Sequence, residues 1–156
     1  MSVAFRREGD DEHLEPKFEH PIPLGPNLVT ARGLQLIKDR VAELQAKVAA
    51  LTDEVALKIA KRDLRYWNTR QSTAELPPVP SGEKVAFGTK VTFRLNGKEK
   101  ILSLVGDDEA DPASALVSFS APISRALIGL EPGDLCDFGG REDAIEILSI
   151  EPIPQS

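Results

Sequence analysis

Acidic side chains form the densest group of potential metal ligands in this chain of 156 residues. Four carboxylates fall between Val105 and Pro112, at Asp107, Asp108, Glu109 and Asp111. Carboxylate oxygens suit hard cations such as Ca²⁺, but an EF-hand loop also requires a central glycine and a terminal glutamate, and both are absent here. We therefore expect an exposed acidic turn rather than a calcium site.

The other potentially reactive side chains are few. His13 and His20 lie in an N-terminal segment for which we expect no fixed structure, so neither is predicted to bind metal or catalyse a reaction. Cys136 is the only cysteine, so it cannot form an internal disulfide. The residues around it do not have the spacing of a metal site. A single cysteine without such a site is typical of a protein from a reducing compartment.

Charge and hydropathy exclude two classes of partner. The formal net charge is -6 and the sequence pI is about 5.0, which makes free nucleic acid a poor partner for the whole chain. No apolar run approaches the roughly 20 residues of a membrane helix, and the N-terminus lacks a signal-peptide pattern. We expect a cytoplasmic protein without membrane contact.

The chain divides into four segments by composition. Residues 1–28 contain four prolines and the acidic run from Glu8 to Glu12, without hydrophobic periodicity, and are predicted to be a flexible arm. Residues 29–75 contain no proline and one glycine, which favours helix. Residues 76–81 contain three prolines and are predicted to be an extended linker to a last segment, residues 82–153.

Two hydrophobic seams in different registers lie within residues 29–75. The first has the three-and-four spacing of a coiled coil, follows a plausible cap at Thr30, and comprises Leu34, Ile37, Val41, Leu44, Val48 and Leu51. The second is capped by Thr52 in this interpretation and comprises Leu57, Ala60, Leu64, Trp67 and Gln71. The change of register predicts an antiparallel helical hairpin with its tip near residues 50–54. A single bent helix that dimerises with another chain remains the alternative.

Residues 82–153 show strand patterns separated by turns. The predicted strands are 85–87, 90–95, 100–105, 115–119, 135–138 and 144–150. Asn96-Gly97 predicts a tight hairpin turn, and Gly139-Gly140 predicts a second turn. Residues 122–128 are predicted to form a short helix, capped by Ser120 and stopped by Gly129. The fold class is therefore α+β, a coiled-coil hairpin followed by a small antiparallel sheet domain with one helix.

Three motifs in the last segment resemble the C-terminal domain of the bacterial GreA/GreB transcription elongation factors. They are Val105-Gly106-Asp107-Asp108-Glu109-Ala110-Asp111-Pro112, Ser120-Ala121-Pro122-Ile123-Ser124-Arg125-Ala126-Leu127-Ile128-Gly129 and Pro132-Gly133-Asp134. Residues 28–33 are similar to the start of the family's first helix, and residues 82–88 to the entry into its first strand. The resemblance implies an FKBP-like sheet domain and RNA polymerase as the partner.

The resemblance also implies how such a protein acts. In the family the sheet domain docks on the rim of the polymerase secondary channel, and the hairpin enters the channel with an acidic tip that helps to hold a catalytic magnesium ion. The tip carboxylates here, Asp53 and Glu54, are adjacent, whereas the family spaces its acidic pair by about a turn. The arms are also about ten residues shorter, a loss of roughly 15 Å of reach. This shape is similar to the regulator of nucleoside diphosphate kinase, a short-hairpin relative.

The leading hypothesis is a non-enzymatic elongation regulator that binds the secondary channel as a monomer, without a cofactor and without stimulating transcript cleavage. Its implied polymerase-binding residues are Ser120, Ala121, Pro122 and Ile123. A basic face for the channel or the nascent RNA would comprise Lys58, Lys61, Arg62 and Arg65, although a solvated helix face explains these cations equally well. DNA binding is implied only by the family's association with transcription.

Two other functions stay open at this point. The first is a Gre-type cleavage factor in which Asp53 and Glu54 support a metal ion in the polymerase active site. The second is an FKBP-like prolyl isomerase. It is disfavoured because such sites are apolar pockets lined with aromatic rings, and Tyr66 and Trp67 lie in the hairpin instead.

Overall fold

The computed structural model describes residues 18–154. Two helices come first, α1 at Ala31–Ala50 and α2 at Glu54–Thr73. The strands and the short helices follow in the order β1 (Thr89–Leu95), β2 (Lys98–Val105), a 3₁₀ helix (Pro112–Ser114), β3 (Leu116–Ser118), α3 (Pro122–Leu127), β4 (Leu135–Phe138) and β5 (Arg141–Pro152). The predicted α+β fold class is confirmed.

The chain forms two compact units. The helical unit contains residues 36–73 and the described part of residues 1–25. The sheet unit contains residues 26–35 and 74–156, of which the last two are not described. The first residues of α1 therefore belong to the sheet unit, whereas the sequence assigns all of 29–75 to the hairpin.

The sheet has five strands in the order β3-β2-β1-β5-β4. Neighbouring strands are antiparallel except β2 and β3, which run parallel. The sheet is therefore mixed, whereas the sequence predicts an antiparallel one. The chain leaves β2 through the acidic loop and the 3₁₀ helix before it enters β3, and this crossover allows the parallel pairing.

Both predicted hairpin turns are confirmed. Asn96 and Gly97 join β1 to β2 with φ angles of 53° and 85°, the left-handed conformation of a type I′ turn. Gly139 and Gly140 join β4 to β5, also with positive φ. The predicted strand at 85–87 does not form. Val85 is buried instead, and its backbone exchanges hydrogen bonds with Gly129 and Leu130 after α3.

One face of the sheet carries the core. The fully buried members are Val85, Val91, Phe93, Leu104, Leu127, Ile145 and Ile147. Leu127 comes from α3, and Ile123 and Ala126 of the same helix pack against the cluster. This packing fixes α3, and therefore the turn before it, on the sheet.

The helical unit buries the middle of the predicted first seam. Ile37, Val41 and Leu44 are each at most 6% exposed. The second seam is less covered, because only Ala60 is fully buried and Trp67 is half-buried rather than in the core. The ring of Trp67 meets the guanidinium of Arg40 at 5.6 Å and the ring of Tyr66 edge-on at 5.1 Å.

The structure confirms one of the three predicted helix caps and corrects the other two. Thr30 caps α1, since its hydroxyl oxygen accepts a 3.0 Å hydrogen bond from the Gly33 amide. Asp53, not Thr52, caps α2, because its carboxylate accepts a 2.8 Å hydrogen bond from the Ala56 amide. Ala121, not Ser120, is the cap residue of α3 and makes no side-chain cap hydrogen bond.

Of the predicted flexible arm, residues 1–17 lie outside the described residues, and so does His13. The end of the arm is paired with the residues that follow α2. The Glu75 amide donates to the Asn27 carbonyl at 2.8 Å, and the Val29 amide donates to the Glu75 carbonyl at 2.9 Å. Asn27 is only 5% exposed. Among the described residues, no helix is both long enough and apolar enough to cross a membrane.

Candidate partner-docking site

The turn between β3 and α3 contains the predicted docking residues. Pro122 is exposed at the first position of α3, where the lack of an amide hydrogen costs nothing. Ala121 and Ile123 are half-buried, and Ser120 is exposed. The four predicted residues therefore lie together, with Ser120 and Pro122 on the surface.

A hydroxyl and carboxylate network fixes this turn. Asp107 accepts hydrogen bonds from the Ser118 hydroxyl at 2.5 Å and from the Ser120 hydroxyl at 3.0 Å. The Ser120 amide donates to the Ser118 hydroxyl oxygen at 3.1 Å. On the buried side, the Ser124 hydroxyl donates to the Ser118 carbonyl at 2.6 Å. Asp107 thus supplies a carboxylate to the surface of a turn whose own residues carry none.

Glu109 contradicts the expectation that the acidic loop is an exposed turn. Its side chain is 4% exposed. Its carboxylate accepts a 2.5 Å hydrogen bond from the Thr30 hydroxyl and a 2.9 Å hydrogen bond from the Arg32 guanidinium. A buried carboxylate requires such partners. The loop therefore anchors the first turn of α1 within the sheet unit.

Two glycines allow this anchor to form. A Cβ at Gly33 would lie 2.7 Å from the Glu109 carboxylate oxygen, and a Cβ at Gly106 would overlap the backbone carbonyl of Leu28. Neither glycine has a positive φ. Close approach, not backbone conformation, is therefore the reason for glycine at both positions. Sequence analysis missed this anchor, and its only sequence signal was a glycine in the first turn of a helix.

Both tip carboxylates interact with residues at the start of α2. Asp53 caps α2 through Ala56, and Glu54 lies 3.9 Å from the ammonium group of Lys58 one turn later. Among residues 18–154, no cluster of three or more histidine, cysteine or acidic side chains is arranged to hold a metal ion. Asp53 and Glu54 therefore each have a partner within α2, and the metal role predicted for them, which the polymerase would have to complete, stays a prediction.

The predicted basic face of α2 is largely paired with acids. Arg65 binds the carboxylate of Glu19 through two hydrogen bonds of 2.7 and 2.6 Å. These bonds lower the pKa of Glu19 and raise the pKa of Arg65. Arg62 lies 3.3 Å from Asp63. The face is therefore less positive than the sequence of α2 alone indicates.

The segment that supplies Glu19 was expected to have no fixed structure. Here His20 follows Glu19 along α2, its ring nitrogen 2.6 Å from the Asp63 carboxylate. The imidazole also meets the Tyr66 ring edge-on, with centroids 5.7 Å apart. We refer to residues 18–22 as the strap. No sequence pattern pointed to these contacts.

Comparison with known proteins identifies the sheet unit. Residues 80–152 match the family model described as "Transcription elongation factor, GreA/GreB, C-term". Residues 80–152 are therefore similar to the GreA/GreB C-terminal domain. The resemblance stated from the sequence motifs is confirmed for this domain, which contains the docking turn and the acidic loop.

Curated relatives match the same region. Transcription elongation factor GreA of Rhizobium etli is 43% identical over 74 residues, which are 45% of this chain and 47% of that protein. The GreA of Rhizobium meliloti is 41% identical over 75 residues, 46% of this chain and 48% of that protein. The chain thus spans about half the length of the curated relatives it matches.

Solved structures of similar proteins cover more of the chain but superpose weakly. GreA factor homolog 1 of Thermus thermophilus is 18% identical, covers 81% of this chain and 99% of its own, and has a TM-score of 0.37. GreA/GreB of Nitrosomonas europaea is 19% identical, with coverages of 81% and 98% and a TM-score of 0.38. The similarity to GreA/GreB therefore depends on the sequence match of residues 80–152.

Proposed function

We propose that this protein is a transcription elongation regulator that binds bacterial RNA polymerase at the secondary channel and does not stimulate transcript cleavage. The observation that carries the proposal is the similarity of residues 80–152 to the GreA/GreB C-terminal domain. The docking turn of this domain is held by hydrogen bonds and exposes Ser120 and Pro122, which suits a surface that receives a partner without rearrangement.

The docking part of the proposal is supported by the geometry of the turn. Pro122 and Ser120 are exposed, while Ser124 and Ile123 hold the turn from the buried side. Asp107 adds a negative charge beside Ser120. A partner surface with basic side chains would complement this charge.

Replacement of Pro122 by alanine should weaken binding to core RNA polymerase about fivefold or more, the usual effect of truncating a central interface residue. Pro112→Ala is a matched control, because Pro112 is also exposed and also begins a short helix. Ile123 is less suitable for this test, since it packs on the core and a charge there would also disturb folding. Equal affinities for the two variants in a titration with labelled protein would contradict the assignment.

The absence of cleavage stimulation is supported by the tip. Each helix has 20 residues and is therefore about 30 Å long. Asp53 caps α2, and Glu54 is adjacent to it rather than one turn away. This pair lacks the spacing with which two carboxylates would share one divalent ion.

If the tip does not support cleavage, a change at Asp53 should alter stability, and changes at Asp53 and Glu54 should leave the cleavage rate unaltered. Asp53→Ala should lower the free energy of unfolding of the helical unit by about 1 kcal/mol, because the Ala56 amide loses its acceptor. Asp53→Ser keeps a capping oxygen, so it should cost much less. In an assay of backtracked polymerase complexes, neither Asp53→Ser nor Glu54→Gln should change the cleavage rate relative to the unmodified protein. Cleavage that depends on either carboxylate would support the cleavage-factor alternative.

A further inference from the structure

The acidic loop between β2 and the 3₁₀ helix binds two different parts of the sheet unit through two carboxylates. Asp107 accepts hydrogen bonds from Ser118, which ends β3, and from Ser120 in the docking turn. Two positions later, the Glu109 carboxylate accepts hydrogen bonds from two side chains at the start of α1. The Glu109 amide donates to the Gly106 carbonyl at 3.2 Å, so both carboxylates belong to one tight turn.

The loop is held on both sides of Asp107 by the segment that leads into α1. On one side, Gly106 lies so close to Leu28 that a Cβ there would overlap the Leu28 carbonyl. On the other side, Glu109 accepts a 2.5 Å hydrogen bond from the Thr30 hydroxyl. The position of Asp107 therefore depends on contacts that lie outside the docking turn.

The two ends of this connection differ in burial. The side chain of Glu109 is 4% exposed and Thr30 is 5% exposed. Asp107 is half-buried, and its partner Ser120 is exposed. A buried polar contact is costly to lose because no water replaces it, whereas water competes for hydrogen bonds at the surface. The buried end therefore determines where the loop lies, and the exposed end follows it.

We infer that Glu109, held by Thr30 and Arg32, is a positioning residue for the docking turn and acts through Asp107. It keeps the Asp107 carboxylate in reach of the Ser120 hydroxyl, so the turn has its shape and its negative charge before a partner arrives. Glu109 is itself buried, so its effect on docking is indirect. The inference rests on the proposed polymerase docking and adds the group that orders the docking surface.

Arg32→Met is the variant that tests this role. The Arg32 side chain is 64% exposed, and the variant keeps the Thr30 hydrogen bond to Glu109, so the sheet unit should stay folded. Lys98→Met is the matched control, because it removes the same charge at an exposed position of β2. Arg32→Lys keeps a cation beside Glu109 and should behave almost like the unmodified protein.

The first measurement is hydrogen exchange in the free, full-length protein. The Ser120 amide donates to the Ser118 hydroxyl oxygen and reports opening of the docking turn. In Arg32→Met it should exchange about two- to fivefold faster, the effect of losing one exposed ion pair. A merely structural role would accelerate exchange of the buried Phe93 amide through global unfolding but would leave the Ser120 amide unchanged.

The second measurement is the affinity for core RNA polymerase. Arg32→Met should weaken binding about two- to fivefold, because the effect on docking cannot exceed the free energy of the contact that is lost. Asp107→Ala removes the carboxylate through which Glu109 acts. Arg32→Met added to Asp107→Ala should therefore weaken binding no further than Asp107→Ala alone.

Two results would overturn the inference. The first is exchange of the Ser120 amide that is no faster in Arg32→Met than in Lys98→Met. The second is a polymerase affinity that Arg32→Met leaves unchanged, or lowers equally with and without the Asp107 carboxylate. Failure of the unmodified protein to bind polymerase would instead contradict the proposed function. The exchange of Ser120, measured without polymerase, would still decide whether Glu109 positions the turn.

Discussion

Gly106→Ala should lower the free energy of unfolding of the sheet unit by about 2 to 4 kcal/mol, at the upper end of the cost of overpacking a buried site. The added methyl group would overlap the backbone carbonyl of Leu28. The position of the methyl group is fixed by the backbone of residue 106, and the Leu28 carbonyl is itself backbone. No side-chain rotation can therefore relieve the overlap. The acidic loop and residues 26–30 would have to separate, and the hydrogen bonds to Glu109 would weaken with them.

Gly97→Ala is the control for this prediction. Gly97 has a φ of 85° and nothing within 4 Å of its Cβ position, so alanine there adds backbone strain alone. That strain costs about 1 to 2 kcal/mol. Hydrogen exchange at the buried Phe93 and Ile147 amides would report unfolding of the sheet unit specifically. A smaller loss for Gly106→Ala than for Gly97→Ala would show that the loop and residues 26–30 are not in close contact.

Thr30→Val should cost about 2.5 to 4 kcal/mol, although the two side chains have nearly the same shape. The hydroxyl of Thr30 accepts the Gly33 amide and donates to Glu109. Its loss removes a helix cap, worth about 1 kcal/mol. It also removes a hydrogen bond to a buried carboxylate, worth about 1.5 to 3 kcal/mol.

Thr30→Ser retains the hydroxyl and should cost less than 1 kcal/mol. A double-mutant cycle with Glu109→Met, which removes the accepting oxygens at similar side-chain length, would separate the two roles, because only the contact with Glu109 couples the two positions. Urea unfolding of the four proteins provides the required free energies. Equal losses for Thr30→Val and Thr30→Ser would show that the hydroxyl does not hold the loop.

Local patterns were sufficient to predict most of the fold. The register change after Leu51 predicted two helices, and Asn96-Gly97 predicted a hairpin turn, because each is determined by neighbouring residues. The parallel pairing of β2 with β3 was not predictable in this way. It depends on the route of the chain through the acidic loop, and that route is set by tertiary contacts.

The candidate sites were predicted less completely, because their contacts connect residues far apart in the chain. Thr30 and Glu109 are separated by 79 positions, and Glu19 and Arg65 by 46. A carboxylate that is buried and paired has the same sequence pattern as a solvated one, so Glu109 was assigned to an exposed turn. The docking turn could be located from a motif, but the contribution of Asp107 required the structure.

Retention of the full-length protein by core RNA polymerase is the most direct test of the central claim. The protein should be retained by immobilised core enzyme and lost when the rim element of the secondary channel is deleted. Pro112→Ala should behave like the unmodified protein, and Pro122→Ala should be retained less. Absence of retention, or retention that does not depend on the rim element, would contradict the proposal that this chain is a secondary-channel regulator.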